Sequence, residues 1–206
     1  MKIKLPEMFA KRKEVQEYVR RKSLYRVLVS YVLDWKYKGK KRNLVKWMNT
    51  HLHDENVIEL AQRFKGSNDK KVIDILKYVY NYLTYTPDIN KWKVEEYWQT
   101  PAETLKFASG DCEDGTLLIY ALCYYAEIPD HLIRIVCGDV KGGGHCYIAY
   151  SAELDAVERS IDWCYDIQLS DVKFRKVYGD NDLYYFGERE WFSFNSTTSY
   201  KLKVKR

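Results

Sequence analysis

The segment ASGDCEDGTLLIYALCYY, residues 108–125, places a thiol where nucleophilic chemistry starts most easily. Cys112 opens an apolar, helix-like run, and Asp111 before it is suited to cap that helix. A thiol in the first turn faces free N–H groups and the positive end of the helix dipole, which favour the thiolate. Attack on an amide carbonyl also needs a base that becomes an acid, a group that fixes its tautomer, and a donor for the oxyanion. His145 follows KGGG, where glycines let the backbone turn and approach a neighbouring surface, and it begins a strand-like segment. That segment, 145–151, and the next, 157–163, read as a hairpin centred near residue 153 or 154. Such a hairpin sets Asp162 opposite or beside His145, where facing Cβ atoms lie ~5 Å apart. Asp166 lies past the strand end and fits worse. Against this reading stand Asp111, Glu113 and Asp114, whose carboxylates suit the helix dipole but oppose a thiolate. Something positive or hydrogen-bonding must hold them.

The elements that would position these groups follow from hydrophobic period. Val15, Tyr18, Val19, Tyr25, Leu28, Val32 and Trp35 recur at helical steps and predict a helix over 7–36. Short helices are expected over 43–52 and 54–64. A stronger one starts at a cap among residues 67–69, with Val72, Ile75, Leu76, Val79, Tyr80 and Leu83 on one face, and Pro87 beyond it. Residues 88–101 read as an aromatic-rich loop, 101–107 as a helical turn and 112–126 as a helix. After Pro129 the pattern changes to β-branched and aromatic segments, HLIRIVCGDV, HCYIAYS and VERSIDW, with WFSFN and YKLKVK later. Helices first and antiparallel strands second give an α+β fold. The expected organisation is a basic N-terminal helical extension, 1–66, and a catalytic domain, 67–206.

Composition narrows the class. With 46% apolar and 31% charged residues, the chain can bury a core and is not of the disordered type. Residues 1–42 hold fourteen Lys/Arg against four Asp/Glu, while the rest is net acidic. That basic leader is a candidate contact for an anionic partner, but no nucleic-acid-binding motif accompanies it. The first residues lack the apolar stretch of a signal peptide, and the longest apolar run, 24–35, is too short to span a membrane. A cytoplasmic protein with reduced cysteines is therefore expected, in a host cell or virion if the chain is phage-encoded. Cys123 and Cys137 read as core residues. Cys146 and Cys164 should turn away from the faces that carry His145 and Asp162. His51 and His53 have no third ligand nearby.

EYWQTPAETLKFASGDCEDGTLLIYAL resembles the cysteine motif of the bacterial transglutaminase-like cysteine peptidases, through Trp98, Thr100, Pro101, Glu103 and Gly110 to Asp114. GGGHCYIAY and SIDWCYD resemble that family's His and Asp motifs more loosely. The resemblance spans roughly residues 70–166. It implies a papain/transglutaminase-like core with helices packed on an antiparallel sheet. It also implies Cys112 as nucleophile, His145 as acid/base, Asp162 as its orienter, and acyl transfer through a thioester. By the same analogy the oxyanion donors would be Trp98 or Gln99 with the Cys112 backbone N–H. No cofactor is required. Some members bind calcium near the cysteine, so Asp111, Glu113 and Asp114 either hold Ca²⁺ or are tied down by backbone and Lys/Arg donors, the second being favoured. Gly115 departs from the larger residue usual there and would open space beside the thiol. The reading is a peptidase acting on a protein or peptide substrate. Transglutaminase or amidase transfer, and a non-catalytic structural role such as a virion protein, are the alternatives.

Overall fold

Helix ends in this chain are written in capping residues, and the structure, a computed structural model, follows them; it describes residues 28–30, 34–37, 40–140, 143–151, 158–164, 175–176 and 189–202. Helix α1 (Leu44–His51) is capped by Asn43, α2 (Glu55–Ala61) by Asp54 and α3 (Asn68–Tyr82) by Ser67. In α3, Val72, Ile75, Leu76 and Val79 are buried as their spacing predicts, whereas Tyr80 is exposed. A short helix, α4 (Asp88–Lys91), lies in the segment expected to be loop. Helix α5 (Pro101–Phe107) starts at a capping box, with the Thr100 hydroxyl accepting from Glu103 N and the Glu103 carboxylate accepting from Thr100 N. The Thr-Pro-x-Glu of the sequence is thus a helix start.

Helix α6 (Cys112–Tyr125) is the centre of the molecule. Residues 117–123 are wholly buried on every side, as expected of a helix apolar all round. Helices α2, α3 and α5 pack against it on one side, and the sheet on the other. Its strands are β1 (Leu28–Ser30), β6 (Ile133–Val140), β7 (Gly143–Ser151), β8 (Glu158–Ile161), β9 (Arg175–Lys176), β10 (Arg189–Phe194) and β11 (Ser199–Leu202). They run antiparallel in the order β1-β11-β10-β6-β7-β8-β9. A hairpin of β2 (Asp34–Tyr37) and β3 (Lys40–Asn43) precedes α1. A two-residue parallel pair, β4 (Thr84–Tyr85) and β5 (Ser109–Gly110), holds the segment before Cys112 against the end of α3. The architecture is α+β, with helices packed on an antiparallel sheet.

The helix expected over 7–36 is corrected where the structure describes it: residues 28–30 and 34–37 are strands. Leu, Val, Trp and Tyr there satisfy a helical period by count, but pairing with β11 and within the β2–β3 hairpin decides the outcome, because strand preference depends on context. Residues 1–27, most of the basic leader, lie outside the described residues. The core does not divide at residue 66. Trp47, Met48 and Leu60 belong to the same hydrophobic cluster as Leu117, Ile135 and Phe194, and the Trp98 ring stands between Trp47 and Phe194.

Candidate active site

Cys112 is the first residue of α6, half-buried, with Asp111 as its N-cap. Two glycines fit backbone tightly around it. A Cβ at Gly110 would lie 2.5 Å from the Asp114 Cβ. A Cβ at Gly115 would lie 2.1 Å from the Trp163 Nε1. The space that Gly115 leaves is therefore filled, not open: the Trp163 indole lies on the first turn of α6 and donates to the Cys112 carbonyl at 3.4 Å. Tyr85, half-exposed, packs on the outer side of Trp163 at 5.9 Å between ring centroids.

His145 and Asp162 are joined. His145 Nε2 donates to Asp162 Oδ2 at 2.6 Å, and both side chains are buried. The second oxygen, Oδ1, accepts from Cys164 N at 2.9 Å, so the carboxylate is held at both ends. The β7–β8 register differs a little from the expected one. Ile148 faces Ile161, so one step further Asp162 stands across from Tyr147, two residues along from His145 and on its face. Diagonal neighbours of this kind remain within side-chain reach. Trp163, next in sequence, turns the other way onto α6. One dipeptide thus serves both the histidine and the cysteine helix. Cys146 also turns away from His145, into the main core, and its carbonyl accepts from Thr116 Oγ1 of α6 at 3.1 Å.

The three acidic residues part company. Asp114 is buried and tied down by backbone and amide donors, none of them a Lys or Arg among the described residues. Its Oδ1 accepts from Gln99 N at 2.7 Å, and its Oδ2 from the Gln99 amide and from Asp111 N. Gln99 is itself fully buried; its amide also donates to the Ser109 carbonyl, and its Oε1 accepts from Lys91 Nζ at 2.9 Å. Lys91 completes the set with bonds to the Ser109 carbonyl and hydroxyl. Both Gln99 amide hydrogens are therefore engaged, and the Trp98 N–H donates to Glu96 Oε1 at 2.6 Å. In this arrangement neither side chain expected to serve the oxyanion points a spare donor at the thiol.

Asp111 and Glu113 instead meet Asp88, a residue the sequence reading did not single out. One oxygen from each of the three carboxyls lies within 4.8 Å of the others. Asp88 Oδ1, Asp111 Oδ1 and Glu113 Oε1 are buried and have no hydrogen-bond partner among the described residues. Burial, then Asp111, pushes the Asp88 carboxyl up to about 7. Burial is also the main cause of the upward shifts of Asp111, Glu113 and Asp114, with Asp111 the next cause for the latter two. The Cys112 thiol donates to Glu113 Oε2 at 3.1 Å. Burial, then that carboxyl, raises the thiol well above its ordinary value. The easily formed thiolate expected from the helix terminus is thus opposed by burial and by the neighbouring carboxyl. Asp88 is hard to find in sequence, since it lies 23 residues before Asp111 at an ordinary Pro-Asp helix start.

No protein-family model matches the chain, and no curated protein matches it in sequence. Among solved structures the chain is similar to Legionella pneumophila LapG. In an EGTA-treated form the identity is 20%, the TM-score 0.49, and the match covers 73% of this chain and 86% of that one. In a calcium-bound form the identity is again 20%, the TM-score 0.48, and the coverage 71% and 86%. A protein of Cytophaga hutchinsonii provisionally described as a cysteine protease is similar at 18% identity and a TM-score of 0.44, over 60% of this chain and 44% of that one.

Proposed function

We propose that the chain is a cysteine peptidase that cuts a protein substrate through a thioester at Cys112. The observation that carries this reading is the buried His145–Asp162 bond, whose neighbours Cys146 and Trp163 are hydrogen-bonded to the first turns of the helix that begins with Cys112. With Nε2 held by Asp162, Nδ1 is the nitrogen for acid–base work. Cys112 Sγ attacks the carbonyl carbon as its proton passes to His145, and the C–N bond breaks as that proton passes to the leaving amine. Water then adds to the thioester, giving its proton to His145, and the carboxylic product leaves as the thiol is restored. The Cys112 backbone N–H, in the first turn of α6, is the oxyanion donor in this scheme.

The three carboxyls, each with one buried oxygen that lacks a partner among the described residues, fit a hard cation. Oxygens that share one Ca²⁺ at ~2.4 Å lie at most about 5 Å apart, and a buried carboxylate oxygen without a donor is relieved by such a partner. Asp88, Asp111 and Glu113 would hold the ion; Asp114, assigned to it from sequence, is occupied by Gln99. When bound, calcium supplies positive charge that lets these carboxyls and the neighbouring thiol ionise together.

The test is the rate of iodoacetamide alkylation of Cys112 against pH, with calcium, in wild type, His145→Ala and Asp162→Asn. Reactivity well below pH 8 that both substitutions remove is expected. An ordinary free-thiol profile, equal in all three, would overturn the catalytic reading in favour of a structural protein. For the metal, melting in calcium should exceed melting in chelator; equal curves would dismiss the ion.

A further inference from the structure

We propose that Cys137 and Cys146 are a modification site, joining as a cross-strand disulfide when the protein meets an oxidant of the peroxide class. The two residues face each other in the register of β6 and β7, on the rung next to Gly138 and His145. Their sulfurs are already 3.4 Å apart. Facing residues of an antiparallel pair have Cα atoms ~4.5–5.5 Å apart, inside the ~4.4–6.8 Å that a disulfide spans. The sulfurs must approach by about 1.4 Å to reach bonding distance, a movement that side-chain rotation can supply. Each of the other described cysteines lacks such a paired strand partner: Cys123 lies in mid-helix, and Cys112 and Cys164 lie outside strands.

The chemistry balances with peroxide alone. One thiolate sulfur attacks a peroxide oxygen, the O–O bond breaks, and a sulfenic acid forms as water leaves with the thiol's proton. The second thiol displaces the hydroxyl as another water, and the S–S bond closes. Two thiols lose two electrons, and one peroxide becomes two waters. Both sulfurs are buried, and burial raises both thiols, Cys146 strongly. Formation is therefore slow, and the finished bond is equally shielded from reductant. This makes a durable staple and not a fast switch. It would clamp the hairpin that carries His145 while lying on the core face, away from the imidazole.

The site is independent of the peptidase reading and can be tested without a substrate. Full-length Cys112→Ala removes the half-exposed thiol and leaves four cysteines. After incubation with hydrogen peroxide, unfolding and alkylation, two alkylated cysteines are expected, with a protein lighter by two hydrogens and a peptide map linking 137 to 146. Melting should rise by about 5–10 °C, the size expected for closing a loop of roughly ten residues in a chain of this length. Adding Cys137→Ala should abolish the link and leave three alkylatable cysteines. Four alkylatable cysteines after oxidation, or a link through Cys123 or Cys164, would overturn the proposal.

Discussion

The contact between the Cys112 thiol and Glu113 bears directly on when that thiol ionises, and Glu113→Gln isolates it. The sulfur lies 3.1 Å from Glu113 Oε2. A full negative charge at that distance opposes a thiolate by about 5 kcal/mol at an effective dielectric of ~20, and by about 1 kcal/mol in bulk water. These limits correspond to roughly one to four pKa units. The lower end applies, because Glu113 is itself buried and raised, so it meets part of the cost by holding a proton. The substituted amide keeps an acceptor for the thiol proton and removes the charge. In chelator, the midpoint of Cys112 alkylation should therefore fall by about one pH unit. The assay is iodoacetamide labelling from pH 5 to 10, read by mass spectrometry on the Cys112 peptide so that the other thiols do not contribute. Calcium should lower the wild-type midpoint and barely move that of Glu113→Gln. Superimposable profiles for the two proteins in chelator, with melting curves showing both folded, would refute the electrostatic account.

Three further outcomes follow from the same geometry. Asp88 has a folded-state pKa of about 7, above its unfolded value. The protonated carboxyl's contribution to stability is thus complete below the unfolded pKa and lost as pH rises through 7. Melting in chelator should fall across that window relative to melting in calcium, and Asp88→Asn should flatten the difference; parallel curves at pH 5 and pH 8 would contradict this. Gly115→Ala gains ~1 kcal/mol of helix propensity but forces the Trp163 indole off α6, at an overpacking cost of about 1–3 kcal/mol or more. Urea unfolding should show a net loss that shrinks in a Trp163→Ala background, whereas additive effects would deny the contact. Gln99→Leu removes donors from buried Asp114 and an acceptor from Lys91, so a loss of about 2–3 kcal/mol in urea is expected. A neutral result would mean that Gln99 holds nothing in place.

The fold was legible where capping and period agreed. A cap among residues 67–69 and the run Val72 to Val79 gave the start and buried face of α3, whereas the Thr100–Glu103 capping box of α5 stood in the sequence only as part of the cysteine motif. Residues 28–37 were misleading, because Leu, Val, Trp and Tyr suit either period and the partner strand β11 lies more than 160 residues away. The site was legible in the same uneven way. His145 and Asp162 emerged from hairpin counting, since register is a local quantity, even though the turn sits slightly later than expected. Asp88 and Lys91 could not emerge. They reach the site because β4 pairs in parallel with β5, a contact of two residues with no sequence signature. Gly115 was visible as an oddity, but its meaning depends on Trp163, which folding brings from 48 positions away.

The acidic surroundings of Cys112 make physical sense as one coupled system. Protein donors hold both oxygens of Asp114, and Lys91, which reaches this cluster, is already engaged with Gln99 and Ser109. That leaves Asp88, Asp111 and Glu113 facing one another, each with an oxygen that has no partner among the described residues. Buried carboxyls in that position can be relieved by protons or by a cation. Protons leave a carboxyl hydrogen-bonded to an un-ionised thiol, which is a poor nucleophile. A cation removes the need for those protons and, through Glu113, lowers the cost of the thiolate. Linkage requires the converse: whatever calcium does to the thiol's pKa, ionising the thiol does to calcium affinity by the same factor. On the proposed reading, the carboxylates that look misplaced beside a nucleophile would couple its charge to the binding of the ion.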